Sequence, residues 1–184
     1  TFNHPGFILY SSGTTGVPKC IVHSQGGALI QLIKEHRYHI DIKAFERVFY
    51  YTTCGWMMWN WLLACLASQA AVVTYDGSPF VRGAKTLWTL CDQDDWHVFG
   101  TSAKYLAAIA KYSYQPRENH QLTSLKAILS TGSPLAHESF DYVYLHIKED
   151  VLLGSISGGT DIVSCFCLSC PTPVSYTHLR AHET

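Results

Sequence analysis

Short apolar runs alternate with segments of helical period along most of this chain. Phe7 to Tyr10 is an apolar, strand-like run, and after a polar interval "CIVHS" (20–24) forms a second one. Over "GGALIQLIKEHRYH", Leu29, Leu32, Ile33 and His36 recur at helical spacing. "RVFYY" is a short strand, "MMWNWLLACLAS" a buried helix, and "AAVVTY" a strand stopped by "DGSP". "AKTLWTLC" then has the pattern of a helix, "WHVFG" of a strand, and "SAKYLAAIAKY" of a helix that Thr101 or Ser102 can cap. "KAILS" is a further strand. Phe140, Val143, Tyr144 and Ile147 mark an amphipathic helix, and "VLLGSI" closes the series. Strand-helix alternation of this kind predicts an α/β domain with a mostly parallel sheet flanked by helices, in which ligands bind at loops beyond the carboxyl ends of the strands.

Composition narrows the function classes. With 184 residues, 47% of them hydrophobic and 15% charged, the chain can bury one sizeable core, which suits one domain or a large piece of one. Thirteen Lys+Arg against fourteen Asp+Glu leave a net charge of −1, and no basic run is present, so nucleic acid is not expected as a partner. The longest apolar stretch is interrupted by Asn60, Ser68 and Gln69 and ends like a strand, so no membrane span is expected. Seven cysteines, an odd number without framework spacing, suit a reducing compartment and a cytoplasmic protein. Cys165, Cys167 and Cys170 fall short of zinc spacing for want of a fourth ligand. The start, "TFNHPG", has neither an initiator methionine nor a secretory pattern and gives the expectation that the chain begins in mid-protein.

Four loops carry the candidate chemistry. Between Tyr10 and Cys20 lie the hydroxyls of Ser11, Ser12, Thr14 and Thr15, the glycines Gly13 and Gly16, and one cation, Lys19. Glycines let backbone N–H groups come close to an anion, hydroxyls donate from the sides, and a lysine adds a point charge, so the run is a candidate polyphosphate cradle. It is not the P-loop of NTPases, which needs four residues between its glycines where this loop has two. A flexible Ser/Gly/Thr linker is the plain alternative. The second loop is "TTCGWMMWN", with Trp56. The third is "STGSPL", where Ser133 can cap and Pro134 can enter the first turn of the next helix. In the fourth, "SISGGTDI", Gly158 and Gly159 permit close backbone approach, while Thr160 and Asp161 set a hydroxyl beside a carboxylate; these suit a nucleotide with Mg²⁺.

"YSSGTTGVPK" closely resembles the phosphate-binding motif of the adenylate-forming superfamily, which includes acyl-CoA synthetases, luciferases and peptide-synthetase adenylation domains. "STGSPL" resembles its adenine-side loop, and "SGGTDI" stands where the family has an aromatic-rich motif ending in Thr-Glu. More narrowly, "YYTTCGWMMWNWLLACLASQAAVVTYDGSP", "FGTSAKYL" and "GSISGGTDIVSCF" are similar to the acetoacetate-activating branch of the acyl-CoA synthetases, with Asp161 in place of the usual glutamate. The resemblance covers residues 1 to about 170 and implies a fragment of the large N-terminal domain of such an enzyme.

The resemblance also implies the chemistry. Acetoacetate would attack the α-phosphorus of MgATP to give an acyl-adenylate and pyrophosphate, and coenzyme A would then displace AMP. Ser11, Ser12, Gly13, Thr14, Thr15, Gly16 and Lys19 would hold the β- and γ-phosphates, Thr160 would reach the α-phosphate and Asp161 the Mg²⁺, which makes Lys19 and Thr160 the catalytic candidates. Gly132, Ser133, Pro134, Gly158 and Gly159 would line the adenine and acyl side. Trp56, Met57 and Thr101 are candidates for the acyl pocket or the coenzyme A entrance. Gly158 stands where acetate-activating relatives carry a tryptophan, so a glycine there would open room for a longer acid. Activation of acetate, propionate or another short acid is one alternative, and a non-catalytic ATP-binding module is another. The family's ribose-binding aspartate, hinge and lid lysine find no match here, so the chain alone is not expected to turn over. Residues 1–173 form the expected domain piece. "VSYTHLRAHET" (174–184) abandons the pattern and resembles a translated adapter, with the changeover expected between Cys170 and Ser175.

Overall fold

The computed structural model describes residues 1–11 and 16–172. A five-stranded, all-parallel sheet forms its centre: β3 (Arg47–Tyr50), β4 (Ala71–Val73), β5 (Val98–Ser102), β6 (Ala127–Thr131) and β7 (Leu152–Ser155), in the order β4-β3-β5-β6-β7. Two antiparallel hairpins stand outside it: β1 (Pro5–Ser11) with β2 (Lys19–Ser24), and β8 (Ser157–Gly159) with β9 (Ser164–Cys167). The strand expected at "CIVHS" therefore exists, but it pairs back on β1 and does not extend the parallel sheet. "SGGTDI", expected as a loop, puts its first three residues into β8.

Both faces of the sheet are covered, and the strand period of two decides which residue faces which layer. Phe49, Phe99, Ile128 and Leu153 point to the layer of α3 (Thr86–Gln93), α4 (Ala103–Lys111) and α6 (His137–Tyr142), packing with Leu87, Trp88, Leu106 and Phe140. Their neighbours Val48, Tyr50, Val98, Ala127 and Leu129 point the other way, to α1 (Gln25–Lys34) and α2 (Met57–Ala64), meeting Leu32, Trp61 and Leu62. Near-continuous apolar strands such as "VFY" and "AIL" are what burial on two sides demands. A one-turn α5 (Pro116–Asn119) completes the helices of the described residues and escaped the sequence pattern, being too short to show a period.

Several boundaries differ from expectation for local reasons. Ser102, not Thr101, caps α4, its hydroxyl accepting from the Tyr105 N–H at 3.3 Å. Ser133 does not cap the next helix and Pro134 is not in its first turn: α6 begins at His137 with Ala136 at the cap position. The helix expected across 57–68 tightens into a 3₁₀ turn at Cys65–Ser68, and α1 widens into a π-helical turn at Glu35–His39. Of the residues that recur at helical spacing, Leu29 is on the surface and His36 is buried, as is its neighbour Glu35. No helix among the described residues is long and apolar enough to cross a membrane.

Candidate active site

The carboxyl ends of β6 and β7 open into a cleft of about 390 Å³. β6 ends at Thr131, and Gly132 follows in the left-handed region (φ 90°), a turn that favours glycine and sends Ser133 and Pro134 to the cleft wall. β7 ends at Ser155. The Ile156 N–H donates to the Ser130 carbonyl at 2.7 Å, which ties the start of the β8–β9 hairpin to β6. Trp56 and Met57, at the amino end of α2, form the opposite wall, with the Trp56 ring edge-on to Tyr50. Of the residues selected from sequence, Trp56, Met57, Gly132, Ser133, Pro134, Gly158, Gly159 and Thr160 thus share one cavity.

Thr101 does not line that cavity. It is buried in β5 opposite Ser130, and its hydroxyl has no hydrogen-bond partner among the described residues. A second cleft of about 370 Å³, bounded by Tyr75, Arg82, Lys85 and Leu90, holds none of the selected residues.

Gly158 and Gly159 play different parts. A Cβ built on Gly158 would lie 2.2 Å from the Ser164 carbonyl oxygen and 2.6 Å from the Cys165 Cα, inside the backbone of β9. A side chain there runs into the neighbouring strand, so in this backbone Gly158 permits the close approach of β9 while also lining the cleft. A Cβ on Gly159 meets nothing within 4 Å, and its residue lines the cleft.

The turn at 160–163, which joins β8 to β9, is held at both ends. At one end the His23 ring meets the Thr160 carbonyl, Nε2 to O 3.0 Å, linking the turn to β2. At the other, the Glu35 carboxylate accepts from the Ser164 hydroxyl and from the Cys165 N–H at 3.3 Å. The same carboxylate takes the Gln31 amide at 3.3 Å and the Trp61 indole N–H at 3.1 Å. Burial, reinforced by this carboxylate, pushes the Cys165 thiol up to about 12, so it is no ready nucleophile. Sequence reasoning passed over both His23 and Glu35. Glu35 stands between Lys34 and His36 in the sequence, so no local pattern marked it as buried.

The cradle springs from the β1–β2 hairpin. Ser11 and Lys19 are its last paired residues, Lys19 is exposed, and Gly16 has φ 132°. Ser12, Gly13, Thr14 and Thr15 lie outside the described residues, as do residues 173–184 and with them the expected non-native tail. Leu9 of β1 is buried together with Ala28 and Val163, against Phe7 and Met57, which seats the hairpin on the 160–163 turn. Asp161 is exposed on that turn. No group of three or more His, Cys, Asp or Glu among the described residues is arranged to hold a metal, and no disulfide forms there.

The family model for "AMP-binding enzyme" matches residues 2–176. Acetoacetyl-coenzyme A synthetase of Rhizobium meliloti (strain 1021) is 57% identical over 170 residues, 92% of this chain and 26% of that protein. Acetoacetyl-CoA synthetase of Gallus gallus is 58% identical over 165 residues, covering 90% and 25%. Malonamoyl-CoA synthetase of Penicillium aethiopicum is 46% identical over 182 residues, covering 91% and 25%. The solved structure of acetoacetyl-CoA synthetase from Streptomyces lividans superposes with a TM-score of 0.88 at 40% identity, covering 93% of this chain and 27% of that one. The chain spans about a quarter of the length of the relatives it matches.

Proposed function

The chain belongs to the family of AMP-binding enzymes, and from that premise we propose that it contributes the nucleotide and acyl cleft of an acyl-CoA synthetase that activates acetoacetate. The observation that carries this reading is the single cleft beyond β6 and β7, which gathers the Gly132–Pro134 loop, Trp56–Met57 and Gly158–Thr160 from three distant parts of the sequence. Relatives named for acetoacetate and for malonamate support a common acid class, since both are short chains with a carbonyl at the third carbon.

In the proposed reaction a carboxylate oxygen of the acid attacks the α-phosphorus of ATP and pyrophosphate leaves; the thiol of coenzyme A then attacks the acyl carbon and AMP leaves. Both steps move charge among oxygens, so the protein's contribution is orientation and electrostatic support. Lys19 and Ser11, with Ser12, Gly13, Thr14, Thr15 and Gly16, hold the β- and γ-phosphates. Thr160 donates to the α-phosphate. Gly132, Ser133, Pro134, Gly158 and Gly159 border the adenine and acyl groups, and Trp56 and Met57 supply the apolar wall. Asp161 is a single exposed carboxylate without a preformed cage, which suits Mg²⁺ arriving with a polyphosphate, because that ion takes one or two carboxylates and completes its shell with phosphate and water oxygens. The ion would neutralise charge on the departing pyrophosphate.

The test is a substrate panel on the intact protein that carries this chain. Pyrophosphate release should be fastest with acetoacetate, measurable with malonamate, and slow with acetate and propionate. Fast release with acetate and none with acetoacetate would assign a different acid; ATP binding without release for any acid would make the domain a binding module.

A further inference from the structure

We propose that Glu35 is a positioning residue for the adenylating cleft: its buried carboxylate fixes the Thr160–Asp161 turn and the Trp56–Met57 wall relative to each other. This rests on the functional reading above. Glu35 is 2% exposed and its two oxygens face four donors, the Ser164 hydroxyl, the Cys165 and Gln31 N–H groups, and the Trp61 indole N–H. Those donors come from three elements. Gln31 is on α1, Trp61 is on α2 one turn beyond the Trp56–Met57 wall, and Ser164 and Cys165 open β9 directly after the turn. Ser164 itself lines the cleft.

A carboxylate matches this set, since both its oxygens accept and every neighbour donates. Packing alone would be served by an apolar residue, whereas removing this acceptor would leave four buried or half-buried donors without it. The Gln31 amide also donates to the Ser164 hydroxyl, whose single proton is thereby directed at Glu35. Glu35 opens the π-helical turn, a form that widens the helix locally and is frequent at functional sites. With His23 on the Thr160 carbonyl, the four-residue turn is held at its first residue and again directly after its last.

The experiment compares Glu35→Gln, Glu35→Ala and Leu62→Ala in the intact protein. Leu62 packs beside Trp61 in the same core layer but makes no bond to Glu35, so its loss lowers stability without touching the clamp. Two readouts are taken: ATP–pyrophosphate exchange with acetoacetate, and hydrogen exchange of the amides from Thr160 to Cys165. Glutamine keeps the shape but turns an NH₂ group toward a donor. Glu35→Gln should therefore lower kcat roughly tenfold and Glu35→Ala roughly a hundredfold, with faster amide exchange at 160–165 in both and neither change in Leu62→Ala. Ser164→Ala should add little to Glu35→Ala, because both cut one interaction. Wild-type kcat and wild-type exchange in Glu35→Gln would overturn the proposal, as would a loss in Leu62→Ala equal to that in Glu35→Ala. If the unmutated protein exchanges pyrophosphate with no acid, the functional reading fails by itself. The clamp then stands or falls on amide exchange alone.

Discussion

Adding one methyl group at Gly158 is expected to damage the cleft, whereas the same methyl one residue later is not. In Gly158→Ala the new Cβ starts 2.2 Å from the Ser164 carbonyl oxygen, 2.6 Å from the Cys165 Cα and 2.9 Å from its Cβ, where ordinary contact begins at 3.4 Å. All three obstacles belong to β9, two of them to its backbone, so β8 and β9 must part by about 1 Å to relieve a clash of that depth. Overpacking of this kind costs about 1–3 kcal/mol, or roughly five- to 150-fold in an equilibrium between the native and a displaced hairpin. The displaced hairpin moves Thr160 and Asp161. In Gly159→Ala the methyl enters open space, and that backbone is outside the left-handed region. ATP–pyrophosphate exchange on the intact protein measures both variants. Gly158→Ala should lose activity equally for every acid and bind ATP more weakly; Gly159→Ala should keep ATP affinity and change only the ranking of acids. A Gly158→Ala protein that keeps its ATP affinity while discriminating acids differently would refute the reasoning.

Three further outcomes follow from particular contacts. His36 is completely buried and its pKa is lowered to about 4 by that burial, so it is neutral in the fold. The unfolded chain takes up the proton first, at about 6.5, so stability is complete above that pH and declines by about 3 kcal/mol as pH falls towards 4, a dependence that His36→Phe should flatten in urea titrations. Lys126 joins Glu46 at 2.6 Å beneath the sheet, at the strand ends opposite the cleft; Lys126→Met should cost about 1.5–3 kcal/mol in urea unfolding and leave ATP–pyrophosphate exchange unchanged. Trp88 lies flat on Phe99 with ring centroids 4.5 Å apart, so Trp88→Ala should lower stability by about 3–5 kcal/mol, read by the same titration.

The parallel sheet was legible in the sequence because its central strands are buried on both faces and therefore open with apolar runs such as Val48–Tyr50 and Ala127–Leu129. The loops beyond β3, β6 and β7 were legible as sites because topology places ligands at those ends. Other features depend on contacts between distant residues and leave no local trace. Ser133 has the chemistry of a helix cap, yet the chain runs three more residues before α6 begins, and nothing in "STGSPL" records that delay. Gly158 and Gly159 are indistinguishable as letters; only the antiparallel pairing with β9 shows that one faces a strand and the other open space. Glu35 looked like one more charge on a helix surface until the π-helical turn and three other elements closed around it.

If this cleft joins an acid to the α-phosphorus of ATP, an isotope transfer will record the bond. Acetoacetate labelled with oxygen-18 in its carboxylate is incubated with ATP, Mg²⁺, coenzyme A and the intact protein, and the nucleotide product is weighed by mass spectrometry. Attack by the carboxylate leaves one of its oxygens on phosphorus when the thiol displaces AMP, so one oxygen-18 atom should appear in each AMP and none in pyrophosphate. Label in inorganic phosphate with ADP as the nucleotide product, or AMP free of label, would contradict the claim.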